Sequence, residues 1–189
     1  MTFGNDQEAE LDDTDLRILA MLQEDCRTAL ARIGEHVGLS APSVLERIKK
    51  LEAAGVVTGY HAVLDARRLG LDVTAFIGVI TSHPDKIGSL ERKLAELDGI
   101  LECHHVTGEY TLLLKVKTEN TSSLERLITE VRSLDGVTRT ETTVVLSTHV
   151  EGIRLALHPE ELPPVTHGKR ARRVGERSAH LRRVSGEKT

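Results

Sequence analysis

Apolar positions repeat every three or four residues through the first third of the chain. Further along they gather into short β-rich runs separated by two more helical repeats. In the first third, Leu16, Leu19 and Leu22 form one stripe with Ile18 beside it. Asp12 stands where an N-cap carboxylate would accept the free N–H groups of that helix, and Leu11 and Leu16 occupy the hydrophobic-staple positions. A second, shorter helix is expected from Thr28 as N-cap to Val37, packing through Leu30, Ile33 and Val37. Gly38 suits a left-handed stop, Leu39 plugs the turn, and Ser40 caps a third helix two residues later. Two short helices joined so tightly must cross steeply, which is the helix-turn-helix pattern.

The third helix is expected from Ser40 to about Ala54, ending at Gly55. At 100° per residue, Val44, Ile48 and Leu51 point inward. Pro42, Ser43, Glu46, Lys49 and Lys50 point outward, and Arg47 lies on the flank. The following "VVTGYHAVLD" is rich in β-branched residues and predicts a strand or small wing.

"TAFIGVIT", Thr74 to Thr81, predicts a buried strand. A helix from about His83–Pro84 packs through Ile87, Leu90, Leu94 and Leu97. Two strands follow, "ILECHHV" and "YTLLLKV". Then comes a helix capped by Thr121 or Ser122, and a last strand in "VTRTETTVVLSTHV". Ser89-Leu90-Glu91-Arg92 recurs as Ser123-Leu124-Glu125-Arg126, and Leu97-Asp98-Gly99-Ile100 as Leu134-Asp135-Gly136-Val137. A helix ending in Leu-Asp-Gly before a strand, twice, implies two strand-helix-strand copies and a βαββαβ ferredoxin-like sandwich. The fold class is therefore α+β. Helices on one face leave the other uncovered, and the apolar "TAFIGVI" and "TLLLKV" predict a dimer across it. The expected domains are 11–64, DNA-binding; 65–73, a linker; 74–152, the ferredoxin-like unit; and 153–189, a basic, disordered tail.

Charge changes the picture in two places. Across residues 12–64 there are 8 acidic and 6 basic residues, so one copy would hold duplex weakly and an assembly of at least two is expected. The net charge of −4 also hides an asymmetry: residues 167–189 carry 8 basic and 2 acidic groups, and the remainder 17 basic and 27 acidic. An acidic body with a basic tail is a partner signal, and a solvated extension would show the same composition. Pro159, Pro163 and Pro164 mark where that tail leaves the folded body.

Composition excludes several classes. There is no Trp, and Phe3, Tyr60, Phe76 and Tyr110 are the only aromatics, too few for a base-stacking surface on single strands. Cys26 and Cys103 form no CxxC and are expected as two buried thiols in a reducing compartment. No apolar run approaches the ~20 residues of a membrane helix. The start, "MTFGNDQEAELDD", lacks a secretory pattern, so a soluble cytoplasmic, nucleoid-associated protein is expected.

The third helix carries the candidate chemistry. Small residues near a helix N-terminus allow close approach in a major groove, polar side chains meet base edges, and cations further on meet phosphates. Ser40, Ala41, Pro42, Ser43, Glu46, Arg47, Lys49 and Lys50 supply that order, Glu46 being suited to a cytosine amino group. A solvated amphipathic helix would show the same residue types.

The order and size of these parts resemble the Lrp/AsnC family of transcription regulators. The resemblance rests on "LDDTDLRILAMLQEDCRTALARIGEHVGLSAPSVLERIKKLEAAGVVTGYHAVLD" and "LECHHVTGEYTLLLKV", and covers roughly residues 11–152. It implies a dimer, often built up to an octamer, on pseudo-palindromic promoter DNA; no cofactor is expected. In that family small effectors, usually amino acids, bind between the ligand-binding (RAM) domains. The family's effector loop reads roughly Gly-Asp-Tyr-Asp; here the matching residues are Gly108, Glu109, Tyr110 and Thr111. Thr111 lacks the second carboxylate, so a different effector, or none, is compatible with this loop, as is a plain β-turn.

Two other readings compete. An effector-independent architectural DNA-binding protein would use the basic tail for salt-sensitive, sequence-independent binding. A siroheme-decarboxylase-like enzyme would need a His-x-Tyr-Asn-Leu-Trp-Phe stretch where this chain has Gly-Glu-Tyr-Thr-Leu-Leu-Leu. His104 and His105, adjacent in a strand, face opposite sides and cannot chelate one ion.

Overall fold

A computed structural model of the chain describes residues 10–152, 154–163 and 165. They fall into two compact units. The first holds the residues up to Tyr60 and those from Arg154 onward, and the second spans His61–Ile153.

The first unit is built on α1 (Asp13–Glu24), α2 (Leu30–Val37) and α3 (Ala41–Ala53). Asp12 caps α1 as expected, within a capping box in which its carboxylate accepts the Asp15 N–H at 2.8 Å. The cap expected for α2 is not formed: the N-cap is Ala29, with no side-chain bond, and the Thr28 N–H closes the preceding turn on the Asp25 carbonyl. Gly38 is left-handed at φ 73°, and Ser40 caps α3 by accepting the Ser43 N–H. A glycine not singled out by periodicity closes the turn. Gly34 is buried on α2 with the Leu39 carbonyl against its Cα, where any Cβ would collide with backbone. Ile18, Ile33, Val37, Val44, Ile48 and Leu51 form the aliphatic core.

The expected wing is not a strand. Val56 and Val57 donate their N–H groups to the Leu51 carbonyl and pack into the helical core. The chain beyond them has no ladder partner among the described residues, and Val63 and Leu64 are 88% and 68% exposed. The expected linker is ordered too: Asp65 accepts the N–H groups of Arg67 and Arg68 at the start of a 3-10 turn, Arg67–Leu69. That segment belongs to the second unit, whose boundary falls at Tyr60/His61 rather than after residue 64.

The second unit is the expected βαββαβ sandwich: β1 (Val73–Ile80), α4 (Ile87–Ala95), β2 (Ile100–His105), β3 (Leu112–Thr118), α5 (Thr121–Ser133) and β4 (Arg139–Val144). The sheet is antiparallel in the order β2-β3-β1-β4. The repeated Leu-Asp-Gly has one cause: Gly99 and Gly136 are left-handed at φ 88° and 100°, turning each helix into its strand. The cap of α5 is Asn120, one residue earlier than expected, accepting the Ser123 N–H at 2.9 Å. Alternation sends Ala75, Ile77, Val79, Leu112, Leu114 and Val116 toward α4 and α5.

The same alternation corrects the uncovered face, which is less apolar than the sequence runs imply. Beside Phe76 and Leu113 it carries Lys115, bonded to Glu102 at 3.0 Å and Glu151 at 2.7 Å, and Lys117, bonded to Glu151 at 3.0 Å. The cysteines also differ from expectation. Cys26 is exposed in the turn after α1, and Cys103 is half-buried in β2.

The expected disordered tail divides. Residues 154–163 pack against α1. Leu157 joins the helical core, and the chain passes through a left-handed His158 into a 3-10 turn, Pro159–Glu161. The segment is too apolar at Leu157 and Leu162 to stay in water when a helix side is available. The basic residues from 167 onward lie outside the described residues.

Candidate nucleic-acid interface and effector loop

On α3, Val44, Ile48 and Leu51 are buried, which fixes the opposite side outward. Pro42, Ser43, Glu46, Lys49 and Lys50 are exposed there, preceded by Ser40 and the half-buried Ala41. The Ser40 and Ser43 hydroxyls share a hydrogen bond of 2.8 Å across the first turn. Both therefore sit at the helix start, where backbone N–H groups and the dipole favour an anion.

Arg47 departs from the others. Its guanidinium donates to Asp12 at 2.8 Å and to Asp15 at 2.7 Å, and its side chain is only 33% exposed. These bonds raise the Arg47 pKa, the Asp15 bond most. Partial burial opposes the ionised form of Asp12, but the Asp15 N–H and the guanidinium outweigh it and hold that carboxyl below its ordinary value. Arg47 thus clamps α3 to the N-terminus of α1. The acids that engage it, Asp12 and Asp15, were legible only as helix-start residues.

In the second unit the loop joining β2 and β3 contains the four effector candidates. Gly108 turns at φ 109°, and Glu109 is exposed. Thr111 is tied into the sheet: its N–H donates to the Val79 carbonyl at 2.9 Å, and its hydroxyl accepts the Thr81 N–H at 3.3 Å. The threonine that replaces the family's second carboxylate thus anchors the loop to the end of β1. Tyr110 lies flat on β1, its ring over Gly78, where a Cβ would come within 2.5 Å of Cδ1. Glu141 of β4 pairs with Gly78 in register and so stands beside the ring. Partial burial, then the Glu141 and Glu109 carboxylates, push the Tyr110 hydroxyl pKa up. Gly78 and Glu141 were missed from sequence; a glycine inside the strand run "TAFIGVIT" is a signal of close approach.

His104 and His105 do lie on opposite faces of β2, opposite Leu113 and Leu112, and His104 bonds Glu102 at 3.1 Å. No group of three metal-ligating side chains occurs among the described residues, and no helix among them is long and apolar enough to cross a membrane.

A helix-turn-helix unit followed by an open-faced βαββαβ unit defines a class of two-part, effector-domain transcription regulators. Residues 11–52 match the AsnC-type helix-turn-helix domain and residues 74–155 the Lrp/AsnC ligand binding domain. The chain is 34% identical over 145 residues to the HTH-type transcriptional regulator FL11 of Pyrococcus furiosus, covering 77% of this chain and 95% of the relative. It resembles the solved structure of Escherichia coli AsnC with a TM-score of 0.71 at 31% identity, over 76% of this chain and 97% of that one. It also resembles a Neisseria meningitidis transcriptional regulator in complex with L-Met, with a TM-score of 0.74 at 30% identity, over 78% and 97% of the two chains. The chain belongs to the Lrp/AsnC family of DNA-binding transcription regulators.

Proposed function

We propose that this regulator binds promoter duplex through the outward side of α3, as a homodimer or larger assembly up to an octamer. The carrying observation is the continuous exposed face Pro42, Ser43, Glu46, Lys49 and Lys50 on a helix whose other side is locked into a helix-turn-helix core. In this reading Ser40, Ala41, Pro42 and Ser43 permit close approach, Ser43 and Glu46 meet base edges, and Lys49 and Lys50 meet phosphates. Arg47 acts by orienting the helix. Assembly is supported by the segment after Val57, which has no ladder partner among the described residues, and by large exposed apolar residues of the second unit. Among these, Leu64 and Leu146 line one shared depression, and Leu146 and Val150 are 95% and 92% exposed. A cytoplasmic, nucleoid-associated location goes with that role.

An effector, an amino acid or another small molecule, would act at Gly108, Glu109, Tyr110 and Thr111, with Tyr110 as one wall. The L-Met bound by the Neisseria relative supports an amino acid as the first candidate. The anchoring of Thr111 to Thr81 favours a second reading, an effector-independent architectural protein, because that side chain is already engaged within the sheet.

Fluorescence anisotropy separates these readings. DNA from upstream of the protein's own gene is titrated against a scrambled duplex from low to physiological salt, then again with each amino acid. Preference for the upstream duplex that survives physiological salt, shifted by one amino acid, is the expected result. Equal, salt-labile binding to both duplexes with no response to amino acids favours the architectural reading.

A further inference from the structure

The stretches that match the family end at residues 52 and 155, yet the chain continues, and its next residues return to the first unit. They meet needs that α1 has by itself. Its apolar residues Leu16, Ile18, Leu19, Ala20, Met21 and Leu22 spread round most of the helix, and such a helix needs cover on more than one side. Only Ile18 and Leu19 of α1 are buried, yet no residue from 14 to 23 is exposed. Leu157 packs against the helical core, and the 3-10 turn Pro159–Glu161 lies on α1. The last turn of α1 carries no basic residue, although the free carbonyls there favour a cation. Arg154 supplies one, its Nε donating to the Gln23 carbonyl at 3.3 Å. The Gln23 side chain is satisfied at both ends: its Oε1 accepts the Leu155 N–H at 2.8 Å, and its Nε2 donates to the Leu155 carbonyl at 3.2 Å. Arg17, nearer the N-terminus of α1, donates to the Pro163 carbonyl.

We propose that α1 carries a peptide-docking surface whose occupant is residues 154–163 of the same chain, and that this docking positions α3 for duplex. The DNA-binding unit is then discontinuous, residues 12–60 being completed by a strap from beyond β4. The contacts themselves define the occupant. Gln23 pairs with the backbone of Leu155 as a neighbouring strand would, so it recognises an extended peptide. Leu157 suits the aliphatic core, and Arg154 the negative end of the helix. Covalent attachment makes the docking intramolecular, so a few contacts of this kind suffice to keep the surface filled. The path to α3 is short. The strap holds α1 between Arg17 and Gln23, and at the N-terminal end of α1 Asp12 and Asp15 hold Arg47 of α3. Releasing the strap loosens the helix to which α3 is clamped. The strap acts through α1, so it changes affinity for duplex without changing the number of phosphates neutralised.

Docking is read without DNA, whereas the positioning rests on α3 engaging duplex. A chain ending at Val165 is compared with one ending at Ile153, so that both lack the basic residues from 167 onward and differ in the strap. Amide exchange resolved by element should be about tenfold faster in α1 of the shorter chain, the factor expected when a leucine side chain loses about half its burial. The strands β1 to β4 should exchange as before. Gln23→Ala in the longer chain should show a smaller loss in the same amides. Alanine is the better helix former, so that loss reports docking and not helix propensity. Anisotropy titrations of the upstream duplex over a range of salt should show weaker binding by both altered chains with an unchanged salt slope. Equal protection of α1 in the two truncated chains overturns the docking. Protection of α1 that falls as the assembly is diluted would put a second copy's strap on the surface, overturning the assignment to the same chain. Binding undiminished despite faster exchange, or weakened with a shallower slope, overturns the positioning of α3. Absence of DNA binding by the full chain at low salt sinks the α3 reading and the positioning with it, while the exchange result still decides the docking.

Discussion

Each unit of this regulator depends on one glycine that admits a neighbour where a methyl group would stand, and the two neighbours differ in kind. At Gly34 the neighbour is the backbone carbonyl of Leu39, held by a 2.9 Å bond from the Leu39 N–H to the Gly34 carbonyl. At Gly78 it is the ring of Tyr110 at the end of a loop. Backbone in a two-residue turn cannot yield, whereas an aromatic side chain can swing away. The first glycine therefore guards the fold of the DNA-binding unit, and the second guards only the position of one wall of the candidate effector site.

Gly34→Ala should destabilise the first unit by at least the ~1–3 kcal/mol typical of overpacking, abolish DNA binding, and leave the sheet of the second unit folded, as amide exchange resolved by unit would show. Gly78→Ala should cost less, about 1 kcal/mol, since Tyr110 relieves the clash by leaving β1. Its signature is spectroscopic: freed from burial and from Glu141, the Tyr110 hydroxyl should titrate closer to its ordinary value of 10.0. A Gly78→Ala chain with an unchanged Tyr110 titration, or a Gly34→Ala chain that binds DNA normally, breaks the distinction.

The same contrast explains what could be read from sequence. A face borne by one helix follows from the spacing of Val44, Ile48 and Leu51 alone, so its polar side was legible residue by residue. The surroundings of Tyr110 come from three separate segments, and Gly78 and Glu141 become neighbours only through the β1–β4 register, which no single run of sequence contains. Arg47 was assigned to the DNA face because its angle on α3 is compatible with it. Its partners Asp12 and Asp15 lie 35 and 32 residues away, beyond any local pattern. The wing was overread for a related reason: β-branched residues favour strands only when a partner strand exists, and Val56 and Val57 found a helical core instead.

On α3 itself, Arg47 and the lysines beside it differ in what they hold: Arg47 binds two carboxylates of α1, and Lys49 and Lys50 are exposed. Arg47→Ala breaks two partly exposed ion pairs and should lower the stability of the first unit by about 1 kcal/mol, after discounting for solvent, while leaving the salt slope of DNA binding unchanged. Lys49→Ala and Lys50→Ala should do the reverse: no measurable loss of stability, and a slope shallower by about 0.9 for each phosphate no longer neutralised. Chemical denaturation and anisotropy on the same three variants decide it, and a slope change in Arg47→Ala would return that residue to the DNA face.

The smallest effect is the pH dependence of the clamp. The Asp15 N–H and Arg47 hold the Asp12 carboxyl below its ordinary 3.8 against the opposing pull of partial burial, so the folded state binds this proton less readily than the unfolded chain does. The contribution of the carboxylate is then fully present above about pH 3.8, the unfolded value, and is lost as pH falls through the lower folded value. Asp12→Asn isolates it, because asparagine caps a helix nearly as well as aspartate and removes only the charge. The urea midpoints of the two chains should differ by a constant amount at neutral and mildly acidic pH and converge as pH drops below 3.8. A difference that persists undiminished through that range would mean that the hydrogen-bonding shape of the cap, and not its charge against Arg47, fastens α1 to α3.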